Sequence, residues 1–176
     1  RQAAALGEGR TLYEANREVY GLLRYGVKVK EAAGEQNQTI RLIDWEKPKN
    51  NDFAVAEEVT VFGNMTRRPD VVLYVNGIAL GILELKRSTV SVSEGIRQNL
   101  DSQKKVFIEH FFSTVQLVMA GNDTEGLRYG AIETPEAVYI IRIAGLPGLY
   151  ANTQAATAIG DAATLLRDGK PPIKAS

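Results

Sequence analysis

The sequence predicts an α/β domain, and three observations carry that reading. Asn76-Gly77 falls between two apolar runs, 71–75 and 78–83, which is the strongest short-range signal for a β-hairpin. Two stretches, 12–23 and 96–111, space their apolar residues at helical intervals. Further short runs rich in Val, Ile and Phe, bounded by Pro, Asn and Gly, read as additional strands.

Residues 1–10 are small and polar and give no pattern. From there Leu12, Ala15, Val19, Leu22 and Leu23 form one helical stripe, with Thr11 as N-cap, Glu14 completing a capping box and Gly26 ending the helix. Glu14 and Glu18 flank the stripe one turn apart and could look toward a single neighbour, although such acids are as a rule solvated. Residues 27–38 suggest a loose hairpin or loop, 39–45 a strand, 47–52 a turn, and 53–62 a strand with Phe53, Val55, Val59 and Val61 on one parity. After the central hairpin, Ser91 with Glu94 makes a second capping box, and Ile96, Leu100, Gln103, Phe107 and Phe111 predict a helix over 92–112. The opposite face of that helix carries Arg97, Gln98, Asp101, Lys104 and Lys105. A buried strand at 115–119, closed by Gly121-Asn122-Asp123, and a strand at 127–132 follow. Trp45 and Tyr74 read as core residues, and His110 as a helix C-terminal cap or a packed side chain.

At 176 residues and 44% hydrophobic content the chain is long enough to bury one core, assigned to 1–144. Beyond Gly145 the composition turns to Ala, Gly and Thr, and 145–176 reads as a peripheral helical segment, with a helix at 153–167, or as a stub. Lys and Arg number 21 and Asp and Glu 21, so no global field draws the molecule to nucleic acid, and such binding needs a local patch. The absence of cysteine removes disulfides, thiolate zinc sites and cysteine nucleophiles, and the single His110 removes most histidine chemistry. No apolar run approaches the roughly eighteen residues of a membrane helix, and no signal peptide is visible, so no membrane partner and a cytoplasmic location are expected. A chain that begins at Arg1 is expected to be a fragment of a longer protein.

The central hairpin holds the chemistry. Asp70, Glu84 and Lys86 lie where an apolar strand pair would be half buried, and buried charge is costly unless paired or bound to metal. A two-residue loop would turn Asp70 away from Glu84. A three-residue loop, 75–77, or an equivalent bulge, puts Asp70, Glu84 and Lys86 on one face with Val72, Tyr74, Ile78, Leu80 and Ile82, pairing Tyr74 with Ile78 and Asp70 with Ile82. Two converging carboxylates, with the Leu85 carbonyl as a further ligand, suit a hard divalent cation such as Mg²⁺. Lys86 would then hold an attacking water or stabilise charge on a phosphate. The competing reading is a salt bridge of Lys86 with Glu84 or Asp70. Arg67, Arg68, Arg87, Arg97, Lys104 and Lys105 flank the site and could meet DNA phosphates.

Pro69-Asp70, a spacer, and Glu84-Leu85-Lys86 resemble the PD-(D/E)xK nuclease signature. Together with Leu12-Tyr13-Glu14-Ala15-Asn16, Leu42-Ile43-Asp44-Trp45, Asn51-Asp52-Phe53, Gly95-Ile96-Arg97-Gln98-Asn99 and 111–116, they resemble the N-terminal nuclease domain of the restriction subunit of type I restriction-modification enzymes. The resemblance covers 11–136 and implies a restriction-endonuclease-like core, a mixed sheet flanked by helices. It implies Asp70 and Glu84 as Mg²⁺ ligands, Lys86 as catalytic lysine, and Glu14 or Glu18 as a contributing first-helix acid. Many relatives carry Gln-x-x-x-Tyr on the following helix, where this chain has Gln98 and Ser102. The partners implied are double-stranded DNA and the methyltransferase and specificity subunits, with ATP used only by a separate motor domain. No phosphate-binding loop occurs here, because Gly169-Lys170 is followed by proline. The alternatives are a stand-alone repair or junction nuclease, and a non-catalytic DNA- or partner-binding module of the same fold.

Overall fold

The computed structural model describes residues 9–30 and 36–142. The helix expected at 153–167, and with it the whole segment 145–176, lies outside the described residues.

Helix α1, Leu12–Tyr25, forms as its sequence dictates, because both halves of the capping box are closed. The Thr11 hydroxyl accepts from the Glu14 N–H at 3.2 Å, and the Glu14 carboxylate accepts from the Thr11 N–H at 2.9 Å. Gly26 ends it at φ 83°, a conformation that favours glycine, and a Cβ there would meet the Ile40 carbonyl oxygen at 2.7 Å. Strands β1, Val27–Val29, and β2, Gln38–Ile40, then pair antiparallel as a small separate sheet.

The strand expected over 39–45 stops at Ile40. Its continuation is captured by side chains, a competition that Asp and Asn commonly win against a ladder. The Asp44 carboxylate accepts from the N–H groups of Glu46 and Lys47 at 3.1 and 2.8 Å, while the Asn51 amide donates to the Asp44 and Pro48 carbonyls. Trp45 is therefore not core: it is 48% exposed, and its indole N–H donates to the Leu23 carbonyl. Tyr74 is half-buried. The next strand, β3, Phe53–Glu57, is shorter than the expected 53–62, because Glu58 takes φ 52° and leaves the pleat. Val61 instead forms an isolated bridge with Arg67.

Strands β4, Val71–Val75, β5, Ile78–Leu85, β6, Leu117–Asn122, β7, Gly126–Gly130, and β8, Ile140–Arg142, complete a six-stranded sheet in the order β3-β4-β5-β6-β7-β8. Every neighbouring pair is antiparallel except β5 and β6, which run parallel, so the sheet is mixed as expected. A parallel pair needs a crossover, and helix α2, Val92–Ser102, supplies it. Its apolar face, Val92 and Ile96, packs with Ile82, Val118 and Ala120 in the larger core. A second cluster seats Val19, Leu23 and Ile43 against Val75, Ile78 and Leu80. This mixed sheet with its helices is a restriction-endonuclease-like core.

Helix α2 ends at Ser102, ten residues before the expected 112. The chain turns back, with the Ile108 N–H on the Ser102 carbonyl, and a 3₁₀ turn spans Glu109–Ser113. The Ser102 carbonyl thereby accepts from Ile108 instead of the helical donor Val106, which ends the helix, and buried Asn16 on α1 holds the segment that follows, its amide donating to the carbonyls of Phe112, Ser113 and Val115 at 3.0, 3.3 and 2.7 Å. His110 is exposed in this turn rather than packed. The capping box expected at Ser91 is not closed, since the Glu94 carboxylate turns to Arg97. Glu125, from the β6–β7 turn, accepts the N–H of the first helical residue, Val92, at 2.9 Å.

Candidate active site

The hairpin closes on Asn76-Gly77 alone, with Val75 opposite Ile78 and Tyr74 opposite Ala79. Both turn residues have positive φ, 50° and 76°, as a two-residue turn of this kind requires. Asn76 is also anchored from outside, donating to the Leu42 carbonyl and accepting from the Asp52 N–H, each at 2.8 Å. The three-residue loop is thus corrected to a two-residue one, and Tyr74 does not pair with Ile78. The register then shifts, with Leu73 opposite Gly81, so Leu80 is an extra residue, the bulge that the odd loop had as its equivalent. Val72, rather than Asp70, pairs with Ile82, and Ile78 and Leu80 pack with the α1 cluster while Ile82 lies in the core under α2. Continued past Val71 and Leu83, the register sets Asp70 across from Glu84.

Asp70 precedes β4, and its Oδ2 accepts the Leu85 N–H at 2.7 Å. In an extended residue the carbonyl points to the same side as the N–H, so the Leu85 oxygen opens on the side of Asp70. Glu84 is 2% exposed. Burial pushes its carboxyl up to about 8, the charge of Asp70 pushes the same way, and Lys86 pulls against them.

Gln98, on α2, joins the remaining parts. Its Oε1 accepts from Lys86 Nζ at 2.7 Å and its Nε2 donates to Glu84 Oε2 at 2.7 Å. Lysine can only donate, so this orientation of the amide is the one that satisfies both neighbours. Lys86 Nζ is also 3.8 Å from Glu84 Oε2, so the salt bridge weighed against a metal site is present. Gly95 allows α2 to come this close: a Cβ there would lie 3.0 Å from that of Ala120 and 3.5 Å from Glu84 Cβ and Lys86 Cε. In the sequence Gly95 stands only as part of the run 95–99, and its role in this close approach has no spacing signal of its own. Ser102 is buried, and its hydroxyl donates to the Gln98 carbonyl at 2.9 Å.

The structure therefore unites Asp70, Glu84, Leu85, Lys86 and Gln98. Glu14 and Glu18 do not join them: Glu14 caps α1 and Glu18 pairs with Arg10. Among the described residues no group of three or more His, Cys, Asp or Glu side chains converges to hold a metal. A cation here would rest on two carboxylates, a carbonyl and water, a donor set that suits Mg²⁺. Beside the site opens a cleft of about 500 Å³ lined by Arg67, Lys86, Arg97, Gln98 and Asp101, among others. Of the further cations, Arg68 pairs with Glu58, Arg97 with Glu94 and Glu136, and Lys104 with Asp101, while Arg87 and Lys105 are exposed.

Over residues 1–137 the chain matches the family described as the type I restriction enzyme R protein N terminus. The chain belongs to this family. Among relatives of the R protein, it is 28% identical over 120 residues to a Methanocaldococcus jannaschii protein named as the MjaIXP endonuclease subunit of a type I restriction enzyme, a match covering 64% of this chain and 11% of that protein. It is 37% identical over 75 residues to the type I restriction enzyme HindI endonuclease subunit of Haemophilus influenzae, covering 40% of this chain and 7% of that protein. The chain thus spans about a tenth of the length of these endonuclease subunits. Among the described residues no helix is long and apolar enough to cross a membrane.

Proposed function

We propose that this R-protein N-terminal domain is a Mg²⁺-dependent endonuclease that hydrolyses phosphodiester bonds of double-stranded DNA. In this reading a separate motor domain moves the DNA with ATP, and methyltransferase and specificity subunits complete the assembly in the cytoplasm. The observation that carries it is the convergence of Asp70, Glu84 and Lys86 on one face through a bulge. The names of the relatives support it.

Asp70, Glu84 and the Leu85 carbonyl would hold the ion, which when bound supplies positive charge to polarise a phosphodiester. It would also offset the burial, and after it the Asp70 charge, that push the Glu84 carboxyl up. Lys86, fixed by Gln98 at the edge of the cleft, presents an ammonium that can orient water or stabilise charge developing on phosphate. Gln98 holds Glu84 and Lys86 at one spacing and in one polarity.

The test places Asp70→Ala and Lys86→Ala in the full assembly and measures DNA cleavage and ATP hydrolysis together. Cleavage is lost and ATP hydrolysis is kept. Unchanged cleavage in either variant would sink the proposal and leave a non-catalytic module.

A further inference from the structure

The cations near the cleft are not equivalent, and their ion pairs separate them. Arg68, Arg97 and Lys104 each have a carboxylate at 3.3 Å or less. No ion pair among the described residues involves Arg67, which lines the same cleft as Lys86 and Gln98. Its guanidinium carbon lies 3.7 Å over the Phe107 ring, and its Nε is buried with no hydrogen-bond partner.

The support beneath it is rigid. Val61 and Arg67 exchange backbone hydrogen bonds of 2.9 and 3.1 Å across the loop 61–67. That loop is clamped on the turn after α2: the Asn64 amide donates to the Lys105 carbonyl at 2.8 Å, and a Cβ at Gly63 would meet the Phe107 carbonyl oxygen at 2.2 Å. The acids that also line the cleft, Glu94 and Asp101, are paired with Arg97 and Lys104. A stacked, partly desolvated guanidinium without a counter-charge is unfavourable until an anion completes it, and its planar fork matches phosphate oxygens.

We propose that Arg67, seated on Phe107, grips a phosphodiester of the DNA strand in the cleft beside Lys86, positioning substrate without reading bases. This rests on the nuclease reading above. Arg67 is a positioning residue for the strand and leaves the chemistry to the carboxylates and Lys86.

The test uses the full-length subunit in its assembly. Arg67→Ala, Arg67→Lys, Phe107→Leu and Asp70→Ala are compared for cleavage and ATP hydrolysis across a salt series. Arg67→Ala should lower cleavage about ten- to a hundredfold with ATP hydrolysis unchanged. The slope of log rate against log salt should become shallower by about 0.9, the share of one phosphate contact. Arg67→Lys should recover part of the rate at low salt, and Phe107→Leu should fall between. Arg67→Ala with the unaltered rate and slope overturns the clamp while an inactive Asp70→Ala leaves the nuclease reading standing. Loss of rate with an unchanged slope and no recovery by lysine marks a merely structural role and also overturns it. Normal cleavage by Asp70→Ala sinks the nuclease reading, and the clamp with it.

Discussion

Asp70 stands across the β4–β5 hairpin from Glu84 because Leu80 is an extra residue in β5. Without it the two carboxylates would fall on opposite faces of the sheet. With it, an acid that is 2% exposed meets a second acid, and the pair is left to be neutralised by a proton or a cation.

Stability should depend on pH through Glu84. Its folded value of about 8 lies above the 4.5 of an ordinary glutamate, so between these limits the folded chain holds more protons than the unfolded one. The stabilisation is therefore fully present below about 4.5 and is lost as pH rises through about 8. In chelator, the melting temperature should fall across this window, and Glu84→Gln should flatten the decline. A decline of equal size in the variant would assign it to other groups.

Gln98 should matter through its two partners. Gln98→Ala removes a donor to Glu84 and the acceptor of Lys86, and loss of such supporting contacts lowers activity about ten- to a hundredfold. Because the lost donor favoured ionised Glu84, the rising limb of the pH–rate profile should also move to higher pH. A rate loss with no movement of the profile would contradict the assigned role.

Asn16 should be a stability residue without direct part in the chemistry. Asn16→Ala leaves three buried carbonyls without their donor and should lower unfolding free energy by about 2–3 kcal/mol in urea melts. A change below about 0.5 kcal/mol would mean that the 3₁₀ turn at Glu109–Ser113 is held by something else.

Much of this was legible in the sequence where one local rule acted alone. The capping box at Thr11 and Glu14 formed because both side chains had no stronger partner. At Ser91 and Glu94 the same pattern does not close, since Arg97, one turn on, holds the Glu94 carboxylate. The even turn at Asn76-Gly77 and the bulge at Leu80 together give the face relation expected of an odd loop; the parity of the carboxylates required one shift, but its place depends on packing against α1. Helix α2 is shorter than its spacing predicts, because Phe107 and Phe111 keep helical intervals while the chain turns back at Ser102, whose carbonyl accepts from Ile108. Gln98 was legible as a candidate, and its bridging of Lys86 and Glu84 was not, because no spacing rule spans a strand and a helix.

If Asp70 and Glu84 form one hard-cation site, a titration of the chain with Mn²⁺, followed by electron paramagnetic resonance, will detect it. One class of site should fill in the unaltered chain, vanish in Asp70→Ala and Glu84→Gln, and persist in Lys86→Ala. Undiminished binding in Asp70→Ala or Glu84→Gln would contradict it.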